Sequence, residues 1–317
     1  MGNLDRRSFL RHSALGIAAA AAPRRIARHA QAAEAENKAP TFVAFTESFQ
    51  AWPIPEVCAR FKAIGLDGLD LTVRPGGHIE PADAARRLPD AVKAANDAGV
   101  RIAMLSTAIV EPDPRAEELI ATAGALGIDR IKLGYYRYTE FGKLDEQIDA
   151  ARHKLAGVAK LAARHGVLPC VHIHSGDTIP SGGAVAYLLL KDFNPRELGA
   201  YVDPMHMTVE GGNDGWRQGL DLLAPWIAIS SLKNCRWVET KRDAHGQQQW
   251  RFQKCPLADG IAKLPQYLAA LDTLGYRDLF TLHSEYCDRN SWKVLDAEEC
   301  LAQTKRDLEY VRSLIEH

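Results

Sequence analysis

From residue 42 to the C-terminus the chain alternates short apolar runs with longer stretches whose apolar residues recur at helical spacing. The short runs are 42–45, 68–72, 101–105, 130–133, 167–174, 199–203, 227–233 and 279–285. Runs of this length bounded by turn residues read as buried strands. The stretches between and after them, 55–64, 81–98, 114–126, 144–165, 182–191, 216–223, 260–274 and 296–315, are rich in alanine and leucine. Several open on proline or an acid, and several run into a glycine: Gly65, Gly99, Gly127, Gly166 and Gly275. Proline at the start and glycine just past the end are the expected helix punctuation. Eight strand–helix units over about 280 residues predict a (β/α)₈ TIM barrel. The rival, an open doubly wound sheet, ordinarily carries a glycine-rich phosphate loop after its first strand. Neither GxGxxG nor a Walker A pattern occurs.

Parity along the strands locates the chemistry, because neighbouring strand residues point to opposite faces. In the fifth strand Val171 and Ile173 oppose Cys170, His172 and His174, and in the sixth Val202 opposes Tyr201 and Asp203. In the seventh Ala228 and Leu232 oppose Ser231 and Lys233, and in the eighth Phe280 and Leu282 oppose Thr281, His283 and Glu285. A barrel interior filled for stability alone holds Val, Ile and Leu. An inward face of titratable residues, most polar at the strand ends, predicts an active site at the carboxyl end of strands five to eight. Lys233 is expensive to bury alone, so it is expected either to pair with Asp203 or Glu285 or to serve as an acid or electrophile. Asp70 on the second strand and Lys132 on the fourth read as a structural ion pair.

The first residues belong to a different kind of segment. Asp5-Arg6-Arg7-Ser8-Phe9-Leu10 precedes an apolar run from Ala14 to Ala22 and a small-x-small pattern at Ala30-Gln31-Ala32. Residues 1–32 therefore read as a twin-arginine export signal, which sends a folded protein to the periplasm or beyond. Residues 33–40 are a linker and 41–317 the barrel domain. No other stretch reaches the ~20 apolar residues of a membrane span. The whole chain has a formal net charge of −1. Loss of six arginines and one aspartate with the signal leaves 33 basic and 39 acidic residues, a net charge of −6. That balance excludes a nucleic-acid partner held through its phosphates. Six cysteines are present without a CxxC pair; Cys235 and Cys255 flank a charged, glutamine-rich insertion, 237–255, and are the pair that could bridge it. The insertion reads as a cap or hairpin over the barrel mouth.

Five local sequences resemble the xylose isomerase-like family of sugar isomerases and epimerases: Gly76-Gly77-His78, His172-Ile173-His174-Ser175-Gly176, Asp203-Pro204-Met205-His206, Lys233-Asn234-Cys235-Arg236-Trp237 and Leu282-His283-Ser284-Glu285-Tyr286. An exported subgroup is the most similar. The resemblance implies a divalent metal held by Glu, Asp, His and Glu from strands five to eight. By position these are His172, Asp203, Ser231 and Glu285, so two of the four depart from the pattern. His174 stands in for the deficit, and the expected ligands are His172, His174, Asp203 and Glu285. Two imidazoles and two carboxylates suit Mn, Co, Zn or Fe better than Mg or Ca.

Proton transfer next to a carbonyl of a keto-sugar is the implied reaction, with Glu285, His174 and Lys233 as catalytic candidates. His206, Trp237, His78 and His283 are the candidates for substrate binding, and Trp52 and Trp250 are further aromatics able to stack on a sugar. Isomerisation, epimerisation and β-elimination from an oxidised glycoside share the same first step. A lyase therefore stays open, as does a sugar-binding protein without catalysis. The expected partner is a small carbohydrate, with homo-oligomers open. Serine-hydrolase chemistry lacks its GxSxG elbow.

Overall fold

A computed structural model describes residues 39–315. Residues 1–38, which include the segment read as an export signal and most of the expected linker, lie outside the described residues. Eight parallel strands close a barrel: β1 (Thr41–Phe45), β2 (Gly68–Val73), β3 (Arg101–Thr107), β4 (Arg130–Lys132), β5 (Leu168–His172), β6 (Gly199–Val202), β7 (Ile227–Leu232) and β8 (Leu279–Leu282). The order around the barrel follows the chain, and β8 pairs in parallel with β1. Helices follow each strand: α1 (Ile54–Ala63), α2 (Ala84–Asp97), α3 (Pro114–Ala125), α4 (Leu144–Ala163), α5 (Gly183–Leu190), α6 (Pro204–Leu223), α7 (Leu264–Thr273) and α8 (Ala297–Ile315). All five closing glycines adopt positive φ, from 67° to 90°, the left-handed turn that glycine permits without strain.

Two apolar layers confirm the parity argument. Val171, Ile173, Val202, Leu232, Phe280 and Leu282 pack outward into the layer shared with the helices. Cys170 and Tyr201 belong to the inner cluster with Val43, Met104, Ile229 and Leu279. Ala228 departs from expectation by packing against this inner cluster; the β6–β7 register slips beside it, pairing Ala200 with Ile227 but Tyr201 with Ile229. The inner cluster thus fills the amino-terminal half of the barrel and leaves the carboxyl half to polar side chains.

Two elements differ from the sequence pattern in ways that shape the site. α6 begins at Pro204 rather than near Trp216. Asp203 caps it by accepting from the His206 N–H at 2.9 Å, with Pro204 at the first helical position. Gly212, at φ 61°, marks the kink where the glycine pair mimics a loop in sequence. The insertion is an antiparallel ribbon, Asn234–Arg242 against Gln248–Cys255. In its register Cys235 faces Lys254 and Cys255 faces Asn234, which turns the two cysteines to opposite faces, and both are free. The sulfurs that do approach are Cys287 and Cys300, 3.0 Å apart.

Candidate active site

Polar side chains converge at the carboxyl end of the barrel because the strands end there on inward-facing residues. Among the described residues, eight buried side-chain polar atoms have no hydrogen-bond partner; five of them are Asp70 Oδ1, His172 Nε2, Asp203 Oδ2, Ser231 Oγ and His283 Nδ1. Buried polar atoms are ordinarily satisfied, so this concentration marks the place built to meet something else.

Glu285, just beyond β8, sits between two ammonium groups. Lys233 at the end of β7 forms an ion pair with Glu285 Oε2, and Lys254 from the ribbon lies 3.1 Å from the same oxygen. Lys254 also pairs with Asp288. Burial opposes ionisation of Glu285, but Lys233 and Lys254 outweigh it and hold the carboxyl well below the usual range. The return strand of the ribbon fixes this clamp: Lys254 N–H donates to Asn290 O at 2.8 Å, and Trp292 N–H donates to Lys254 O at 2.8 Å.

The histidines divide into two sets. His206 is buried behind His174, ring centroids 4.0 Å apart, with Nδ1 2.9 Å from Ser175 Oγ and Nε2 3.5 Å from Lys233 Nζ. Asp203 Oδ2 lies 3.4 Å from His172 Nε2 and 3.9 Å from His206 Nε2. Burial would raise the Asp203 carboxyl, yet His206, His172 and Lys233 keep it well below its ordinary value. His174 and His283 face the cavity. His174 Nδ1 lies 3.0 Å from Ser175 O, so Nδ1–H donates and Nε2 keeps its lone pair. Burial, with Lys233 nearby, lowers His174 to about 4. His283 Nε2 is 2.5 Å from Tyr201 OH, and burial lowers it well below the usual value. Both imidazoles are therefore neutral near pH 7.

An inner recess of about 30 Å³ is lined by His172, His174, Lys132, Lys233, His283 and Glu285, together with Arg74 and Tyr135. It has room for a hydroxyl or carbonyl group rather than a sugar ring. An outer cavity of about 220 Å³, lined by Glu47, Ser48, Lys254, Glu285, Cys287 and Asp288, shares Glu285 with it. The structure thus brings together His172, His174, Lys233, His283 and Glu285 as the sequence reading expects, with Asp203 and His206 directly behind. It does not bring His78 or Trp237. His78 spends both ring nitrogens on Thr72 Oγ1 and Phe49 O, which fixes the loop after β2. Trp237 is 45% exposed on the ribbon, edge-on to Phe252. Trp52 stacks on Phe49 beneath Arg60, and Trp250 is exposed. Asp70 and Lys132 form no ion pair; Asp70 accepts from Thr281 and lies 3.9 Å from His283 Nε2. Sequence reasoning passed over Arg74, Tyr135 and Lys254. Tyr135 OH meets His172 Nδ1 at 3.0 Å, and its position just after β4 was the available signal.

The expected metal ligands do not make a metal centre in this arrangement. Glu285 is committed to two lysines, and His174 has one nitrogen on Ser175 O and its ring against His206. His172 Nε2 and Asp203 Oδ2 lie 3.4 Å apart and face each other, which leaves fewer free donors than the three protein ligands of a usual catalytic metal. Among the described residues no group of three or more His, Cys, Asp or Glu side chains is placed to hold a metal ion. Lys233, 3.5 Å from His206 Nε2, would also repel a divalent cation at this spot.

The family model described as xylose isomerase-like TIM barrel matches residues 58–314. No curated protein matches the sequence. Among solved structures, L-ribulose 3-epimerase superposes with a TM-score of 0.65 at 17% identity, covering 88% of this chain and 95% of that one. For 3-keto-D-glucoside 4-epimerase from E. coli the TM-score is 0.63 at 13% identity, with 86% and 99% covered. A xylose isomerase-like TIM barrel protein from Mycobacterium smegmatis in complex with magnesium gives 0.61 at 15% identity, with 89% and 99% covered. At these identities the likeness is one of fold.

Proposed function

Because the chain belongs to the xylose isomerase-like TIM barrel family, we propose that it is an isomerase or epimerase that moves a proton next to the carbonyl of a keto-sugar. The observation that carries this reading is a pair of neutral imidazoles, His174 and His283, on one small recess that also holds buried ammonium groups. A carbon acid needs an unprotonated base at the C–H bond and positive charge where the oxygen turns anionic. His174 Nε2 takes the proton. Lys233, held in place by Glu285, donates to the substrate carbonyl oxygen. The imidazolium so formed on His174 returns the proton to the same or the neighbouring carbon, while neutral His283, from a different strand, hydrogen-bonds the substrate hydroxyl. Glu285 serves this scheme by fixing Lys233, since a carboxylate paired with two ammonium groups is a weak base. The inner recess takes the carbonyl, and the sugar ring lies in the outer cavity. Keto-sugars are favoured as substrates because 3-keto-D-glucoside 4-epimerase and L-ribulose 3-epimerase share the fold.

The test is proton exchange in deuterated water with a 3-keto-D-glucoside and with L-ribulose, followed by NMR. Deuterium is expected at the carbon next to the carbonyl, and His174→Asn is expected to slow its entry by about 100-fold or more. Absence of exchange and of turnover with both sugars would overturn the proposal; release of an alcohol from the glycoside would convert it to an elimination. Action outside the cytoplasm is part of the same proposal and rests on Arg6, Arg7 and the apolar run after them.

A further inference from the structure

Three lysines reach the carboxyl end of the barrel, and two of them, Lys233 and Lys254, are ion-paired with Glu285. The third, Lys132, is different. It closes β4, is 4% exposed and lines the inner recess beside His172 and His174. Among the described residues its Nζ makes no hydrogen bond and no direct ion pair; it lies over the Tyr135 ring, 3.8 Å from the centroid, and Asp70, Glu47 and Glu285 act on it only at longer range. Tyr135 is itself anchored through its hydroxyl on His172 Nδ1. Burying an amine without a directly paired carboxylate is costly in its charged form, and here burial and Arg74 outweigh the distant carboxylates. A methionine would pack the same space without that cost.

Resting on the keto-sugar reading above, we infer that Lys132 is a nucleophile that forms an imine with the substrate carbonyl. The free amine attacks the carbonyl carbon, a C–N bond forms, and the oxygen takes up a proton to become a carbinolamine hydroxyl. The nitrogen lone pair then expels that hydroxyl as water, the second proton coming from the amine itself or the Lys233 ammonium, and an iminium remains. When His174 removes the adjacent proton, the C–H electron pair flows to the iminium nitrogen and gives an enamine. Reprotonation and hydrolysis return the product and the free amine. Atoms and electrons balance with water alone as co-reactant. The surroundings support this chemistry: burial, with the Arg74 guanidinium on the same recess, lowers Lys132 to about 7, so a large share of it is the free amine near neutrality. An iminium also supplies the electron sink that the donor arrangement denies to a metal.

The test is reductive trapping of the full-length protein with a 3-keto-D-glucoside and cyanoborohydride, followed by peptide mapping. The ketone of that probe is not masked as a ring hemiketal. A reduced sugar adduct on Lys132, absent in Lys132→Met, is expected, together with a loss of about 100-fold or more in deuterium exchange for Lys132→Arg, which keeps the charge but forms no imine. Exchange by the wild-type protein with no adduct on Lys132 would overturn the nucleophile and leave the isomerase reading standing. An adduct on Lys132 without exchange or turnover would do the reverse. Retained exchange in Lys132→Arg would also overturn it. The wild-type trapping result decides the matter even if a Lys132 variant fails to fold.

Discussion

Glu285 is the side chain on which the charge balance of the site turns. It is 17% exposed and carries two lysines on one oxygen. Glu285→Gln leaves Lys233 buried without an anionic partner, since Lys254 keeps Asp288. Loss of one member of a buried pair costs on the order of 3 kcal/mol, so urea unfolding is expected to show a loss of that size; an unchanged midpoint would mean that the clamp contributes nothing. His174 gives a pH signature. Its folded value of about 4 lies below the roughly 6.5 of an unfolded histidine. The unfolded chain therefore binds more protons between those values, and stability rises with pH across that window. The contribution is fully present above about 6.5 and lost as pH falls towards 4. Unfolding midpoints at pH 7, 5.5 and 4.5 are expected to fall more steeply for the wild type than for His174→Gln, and parallel curves would contradict the assignment. Strand parity was enough to bring His172, His174, Lys233, His283 and Glu285 to one side. It could not show that Lys132 stands apart from Asp70, because facing inward on two strands of one barrel does not make two side chains touch.

At the scale of elements, the ribbon Asn234–Arg242/Gln248–Cys255 does more than cover the mouth. Its return strand places Lys254 against Glu285 and is stitched to the loop after β8 by main-chain hydrogen bonds at Lys254. The alternating charges and glutamines of the insertion made a hairpin legible; the single lysine that matters looks in sequence like any other exposed charge. Helix α6 teaches the opposite lesson, because Asp203-Pro204 is a helix-start signature that the later glycine pair masked. The loop after β8 also brings Cys287 against Cys300 on α8, Sγ atoms 3.0 Å apart. Hydrogen-bonding from Cys300, set against partial burial, lowers the Cys287 thiol to about 7, which favours the thiolate that attacks in disulfide exchange. Mild treatment with oxidised glutathione is expected to remove two titratable thiols and to link the Cys287 and Cys300 peptides. Four remaining thiols in Cys287→Ala/Cys300→Ala before and after treatment would confirm the pair, whereas a link between Cys235 and Cys255 would contradict the ribbon register.

For the whole molecule, the proposal of export is separable from the barrel and is tested separately. Replacing Arg6 and Arg7 with lysine is expected to retain the protein in the cytoplasm, judged by cell fractionation of the otherwise unchanged chain; periplasmic recovery of the variant would remove the twin-arginine reading. The eightfold alternation of strand and helix by itself determines the architecture, since hydrophobic period and helix punctuation are local properties that the barrel repeats around its axis. Inward parity likewise settled which end of the barrel is polar and most of the residues gathered there. The fold alone decided the pairing among them: that Glu285 serves two lysines, that His206 stands behind His174, that Lys132 has an aromatic face in place of a direct ion pair, and that the four expected donors do not surround one point. Distances of 3 to 4 Å between strands many residues apart depend on stagger and register, quantities a one-dimensional pattern does not carry.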